Sequence, residues 1–195
     1  MAAFLAEAAP VHLHASLHGM GFAHGPWFLI EPAWVERTAA MRRRLAKLVH
    51  RMGYRLHDVD RRGEKGFTRI ETGFSTRPDS KAMQVYFRGR GDDATAELFR
   101  PSSMEFVRDL GGDPLTLVSE MPLFLVEHAP GRPEPPKGRQ GKEEFAAWLY
   151  GLTRSGTPDE LRRRAAEHGV AGMPLCHQML LQLAFLNAGL RAVAG

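Results

Sequence analysis

At 195 residues, 44% hydrophobic and 25% charged, the chain has the composition of a globular protein with one sizeable core, and no apolar run approaches the roughly 18–20 residues of a membrane span. A single cysteine, Cys176, excludes an intramolecular disulfide and a CxxC zinc site and points to a reducing, cytoplasmic setting. The net charge of +4 is uneven: residues 31–90 hold 15 Lys/Arg against 7 Asp/Glu, whereas residues 91–195 hold 11 against 14. A local cationic excess of this kind is the footprint expected of a surface that meets polyanions.

Residues 1–10 lack a basic n-region and carry Glu7, a poor match to a secretory signal. Residues 11–18 alternate strictly: Val11, Leu13, Ala15 and Leu17 face one side of a strand, and His12, His14, Ser16 and His18 the other. Three glycines and a proline within 19–26 make a loop, and Trp27–Ile30 is a short apolar run. A helix is expected from about Pro32 to Met52, with Pro32 in its first turn and Gly53 beyond its end. One of its faces is apolar, with Met41, Leu45, Leu48, Val49 and Met52. Another carries Arg43, Lys47 and Arg51, with Arg42 beside them.

Further strands are expected over Tyr54–Asp60 and Phe67–Glu71, and over Ala82–Arg88, where Met83, Val85 and Phe87 alternate with Gln84, Tyr86 and Arg88. Residues 73–80 read as loop. Short helices follow near Ala94–Phe99, capped by Asp92 or Asp93, and near Met104–Leu110, capped by Ser102 or Ser103. Leu115–Val118 and Leu123–Glu127 are strand candidates, with Pro122 arguing for a break or an edge. The Pro- and Gly-rich stretch 129–142 reads as a linker. Beyond it helices are expected over Lys142–Leu152, from Thr157 to about His168, and over Leu175–Val193. The last is apolar nearly all round, with Met179, Leu180, Leu183, Leu186 and Leu190 as its main face, which suits a buried helix or a subunit interface.

GxxxxGK[ST], GxGxxG after a strand, HExxH and GxSxG are all absent from the sequence. The histidine row carries the most pointed chemistry. Histidines at i and i+2 share a strand face with Cβ atoms about 6.6–7 Å apart, and two imidazoles so placed can converge on one divalent ion. His12-Leu13-His14-Ala15-Ser16-Leu17-His18 resembles the metal-binding motif of the HUH endonucleases, in particular the rolling-circle replication initiators. The resemblance covers seven residues. It implies a divalent metal (manganese, magnesium or zinc) held by His12 and His14, with His18 in the place of the third ligand. It also implies a tyrosine that attacks the phosphate activated by that metal. Among Tyr54, Tyr86 and Tyr150, Tyr150 is preferred over Tyr54 because a helix can aim it. His14-Ala15-Ser16-Leu17 is also similar to one motif of the 2H phosphoesterases, but that chemistry needs two copies and there is no second.

The expectation is therefore an α+β fold: a mostly antiparallel, ferredoxin-like sheet over residues 1–128, a linker at 129–142 and a helical segment at 143–195. The leading function is a nucleic-acid-binding or nucleic-acid-processing protein. Arg42, Arg43, Lys47 and Arg51 would meet phosphate, and the histidine face would hold a metal. The alternative is a non-catalytic assembly protein, a homo-oligomer joined through the Leu175–Val193 helix.

Overall fold

The alternation of residues 11–18 does produce a strand. In the computed structural model it runs Leu13–Ala23 (β1), followed after the Gly25-Pro26 turn by Trp27–Ile30 (β2). The structure describes residues 9–126 and 157–195 apart from His168, together with Glu7, Ala147, Tyr150, Gly151 and Arg154. The 129–142 linker lies outside these residues, as does most of the Lys142–Leu152 helix.

The expected 32–52 helix begins as two 3₁₀ turns, Pro32–Trp34 and Glu36–Thr38, before the α-helix proper, Ala39–Arg51 (α1). Gly53, at φ +83°, takes the left-handed position that ends it. Arg69–Glu71 (β3) and Phe74–Thr76 (β4) form a short hairpin. Tyr54–Asp60, expected as a strand, has no regular structure. Ser80–Arg88, also expected as a strand, is a helix (α2) whose N-terminus is capped by the Asp79 carboxylate. Asp93–Ala96 (α3) and Ser103–Asp109 (α4) follow, and Ser102 with Glu105 closes a capping box on α4.

The two strand candidates either side of Pro122 are one long strand, Leu115–Val126 (β5). Its inner edge pairs with β2 up to Glu120 and with a short strand, Val170–Gly172 (β6), from Phe124 onward. Pro122 falls in the gap between these partners, so its missing N–H costs no ladder bond on that edge. Pro158–Glu167 (α5) precedes β6, and Leu175–Val193 (α6) follows it.

Among the described residues the sheet has six strands in the order β1-β5-β2-β4-β3, with β6 also on β5. β1 runs parallel to β5, and β2 parallel to β4; the remaining pairs are antiparallel. The fold is α+β as expected, but the mostly antiparallel, ferredoxin-like sheet is corrected to a mixed one. The cause is long-range. β5 inserts between β1 and β2, strands that follow each other in sequence, and it must run parallel to one of them.

One face of the sheet is covered by α1 and α6. Its core joins Phe28, Ile30, Phe74, Leu115, Leu117 and Met121 to Leu45 and Val49 of α1 and to Leu181 and Phe185 of α6. The Phe185 ring lies 4.8 Å from that of Phe28. Gly189 sets how closely α6 approaches. A Cβ there would sit 2.5 Å from Leu117 Cδ1 and 3.2 Å from Leu13 Cδ1. Of the two roles expected for the main apolar face of α6, a buried helix or a subunit interface, burial within this chain falls to a different face. Leu181, Phe185 and Gly189, with Ala184, Ala188 and Ala192 beside them, face inward, whereas Met179, Leu180, Leu183 and Leu190 are exposed. Small residues, not the larger leucines, select the face that packs.

The opposite face has a smaller apolar cluster, Trp27, Leu29, Phe67 and Val118, closed by Met83 of α2. Toward β1 this face becomes polar. Among the described residues no helix is long and apolar enough to cross a membrane.

Candidate functional site

Parallel pairing of β1 with β5 puts His14 beside Thr116 and His18 beside Glu120. Adjacent strands lie about 4.8 Å apart, so side chains on the same face meet. His14 Nδ1 is 3.3 Å from Thr116 Oγ1. Burial, with the nearby Arg77 charge, holds the His14 imidazole below its usual 6.5. His18 stands between two partners, with Nδ1 3.2 Å from Glu120 Oε1 and Nε2 2.7 Å from Ser16 Oγ. A half-buried guanidinium, Arg77, acts electrostatically on Glu120 and on Glu105. Glu105 itself ties α4 to the start of α2. Partial burial pushes its carboxyl up, but hydrogen bonds from Ser102 and Ser80 prevail and hold it at about 2.

His12 precedes β1 and is exposed, and its carbonyl accepts from Leu115 N–H at 2.9 Å. His24 turns to the Val126 carbonyl, 2.7 Å from its Nδ1, and its ring lies 5.9 Å from that of His57. His14 and His18 thus share a face, but their rings turn to different neighbours. Among the described residues no three His, Cys, Asp or Glu side chains group closely enough to hold a metal ion. His12, His14 and His18, the ligand set that the HUH resemblance implies, are all among those described residues and do not form such a group in this arrangement.

Of the two candidate tyrosines, Tyr54 lies apart from this row. Tyr54 packs against the core beneath α1 and α6, on the other face of the sheet, and its O–H donates to His177 Nδ1 at 2.5 Å. Burial, aided by Cys176, pushes its phenol up. Tyr150 is exposed; its hydroxyl accepts from Arg154 Nη1 at 3.4 Å, and that guanidinium sits over its ring.

The basic helix divides into two kinds of residue. Arg42 is buried: its Nε–H donates to Glu71 Oε1 at 2.5 Å and its Nη1 to Thr38 Oγ1 at 2.9 Å and to the Val35 carbonyl. It anchors α1 to β3, and its guanidinium is turned to the protein's own acceptors instead of outward with the exposed cations. Arg43, Lys47 and Arg51 are exposed, and so is Arg44, which the expected stripe omitted. Neither α1 nor α6 carries an Asp or Glu. Arg44 and Arg51 line a groove of about 520 Å³ together with Arg191 of α6 and with Leu45, Leu48 and Ala188. The i, i+7 spacing of Arg44 and Arg51 was legible in sequence; Arg191, 140 residues beyond Arg51, becomes a neighbour only through helix packing.

The chain matches no protein-family model, no curated protein and no solved structure.

Proposed function

We propose that the protein binds nucleic acid through the α1–α6 layer. One observation carries the reading: Arg43, Arg44, Lys47, Arg51 and Arg191 are exposed on two helices that together hold no acidic side chain. Guanidinium and ammonium groups neutralise backbone phosphates and release condensed counterions, so affinity falls steeply with salt. Four phosphate contacts would cost roughly 100-fold in affinity between 50 and 200 mM salt. The test is fluorescence anisotropy with a labelled oligonucleotide, single-stranded and duplex, over that range. Binding should weaken at least tenfold in an Arg44→Glu/Arg51→Glu variant that keeps its circular dichroism. Removing one side chain that meets a phosphate should flatten the salt slope by about one. Affinity unmoved by the charge reversal would sink the reading.

A second reading, assembly without catalysis, draws on the apolar row that α6 leaves exposed: Met179, Leu180, Leu183 and Leu190. A concentration-dependent dimer with no oligonucleotide affinity would favour it. The metal-dependent nucleic-acid processing that the seven-residue resemblance implies is tested by elemental analysis of the same preparation. A stoichiometric divalent metal, absent from a His12→Ala/His14→Ala variant, would support it.

A further inference from the structure

The geometry points to a second activity at the β1 edge of the sheet: a serine nucleophile, Ser16, with His18 as its base and Glu120 as the orienting carboxylate, acting on carboxylic esters. Ser16 Oγ–H donates to His18 Nε2 at 2.7 Å, and His18 Nδ1–H donates to Glu120 Oε1 at 3.2 Å. Hydroxyl, imidazole and carboxylate thus stand in series, each within the reach that proton transfer needs. The order of atoms is that of a Ser-His-carboxylate triad, which is recognised by roles and distances whatever the fold or the sequence order.

Two features of the fold build it. The period-two repeat of β1 puts Ser16 and His18 on one face, and the parallel register sets Glu120 beside His18. The carboxylate is more buried than the imidazole, with side chains 19% and 49% accessible. The base is therefore held by its neighbour on β5 and remains accessible to substrate. An oxyanion donor is at hand. Leu115 N–H donates to the His12 carbonyl, which fixes the phase of the ladder: the even residues of β1 turn their backbone groups to β5 and the odd ones turn outward. Leu17 N–H, next to the nucleophile, therefore points out of an edge that pairs with no other strand among the described residues.

In the acylation step Ser16 Oγ attacks the ester carbonyl carbon while its proton passes to His18 Nε2. The tetrahedral adduct collapses with cleavage of the acyl carbon–oxygen bond, and His18 returns that proton to the departing alcohol. Water, deprotonated by His18, then releases the acid from Ser16.

The test is covalent. The protein is incubated with a fluorophosphonate probe, in which the Ser16 oxygen forms the new bond to phosphorus and fluoride leaves, and the labelled residue is mapped by peptide mass spectrometry. The expected result is label on Ser16, abolished in Ser16→Ala and slowed at least 100-fold in His18→Gln, the typical contribution of a general base. Glu120→Gln, which keeps the size of the orienting group, should slow labelling less. All three variants change side chains outside the main core, and each is checked by circular dichroism. Hydrolysis of p-nitrophenyl butyrate should fall in parallel. Label that spares Ser16, no label at all, or a Ser16 rate unchanged in both His18→Gln and Glu120→Gln would overturn the proposal.

Discussion

The two faces of the sheet are built from alternate residues of the same strands, yet they differ in almost every physical respect. Leu115, Leu117 and Met121 of β5 point into a core sealed by two helices, whereas Thr116 and Glu120 point to the face where the histidines lie. The sealed face gains from burial at about 25 cal/mol for each Å² of apolar surface removed from water. Near β1 the other face gains little of this and holds its side chains by directed hydrogen bonds. The contrast places stability on one side and adaptable chemistry on the other, with the short strand period keeping the two within a few ångströms of each other.

The sharpest way to break that division is to remove the ring at the centre of the sealed face. Phe185 is fully buried against Phe28. Phe185→Ala should lower the unfolding free energy by about 4 kcal/mol, through forfeited transfer energy and the cavity left behind. Chemical denaturation measures it. Ser16→Ala on the polar face should stay within about 0.5 kcal/mol. Comparable losses for the two would mean that the sheet is not divided in this way.

Arg42 sharpens the comparison from inside the basic helix. Arg42→Ala leaves the Val35 carbonyl, Thr38 Oγ1 and Glu71 without their shared partner. It should cost about 3 kcal/mol, and the stability loss should precede any effect on oligonucleotide affinity. Arg43→Ala, one residue on and exposed, should change stability by about 0.5 kcal/mol or less while weakening binding. Equal stability losses would show that Arg42 is not the anchor its bonds make it.

The same pair shows what was legible in the sequence. A cluster of arginines and a lysine within 42–51 says that a helix is cationic; it does not say which of them the fold consumes. Local signals did better. The Leu175–Val193 helix runs between its expected ends, the cap falls on Ser102, one of the two serines expected, and the stop at Gly53 stands where its residue type placed it. Ala82–Arg88 misled because seven residues can satisfy two periods at once. Its alternation puts Val85 with Met83 and Phe87, yet Val85 is 62% exposed while Met83 packs on the small apolar cluster. Asp79, read from the sequence as part of a loop, caps the helix that forms instead. Long-range order was out of reach. Nothing near His18 in sequence announces Glu120, 102 residues away, because that meeting depends on the register between β1 and β5. Read alone, the alternating row offers its histidines as metal ligands; the carboxylate beside His18 comes only from the parallel partner.

The smallest expected effect is one of pH, and it probes the border between the faces. Burial holds His14 below its usual 6.5, helped by Arg77, and it also lowers His57, with His24 and Arg61 adding to it. A histidine with a depressed folded value favours the fold in its neutral form. Above about pH 6.5 both states carry the neutral ring, and this contribution is fully present. As the pH falls through the interval between 6.5 and the depressed values, the unfolded chain takes up protons that the folded chain refuses, and stability declines. Denaturation at about pH 7.5, 6.5 and 5.5 should show that decline. It should be shallower in His14→Gln, which keeps a polar partner for Thr116 but has no proton to refuse, and shallower still with His57→Gln added. A slope unchanged by both substitutions would mean that protonation at the edge of the polar face is not coupled to folding.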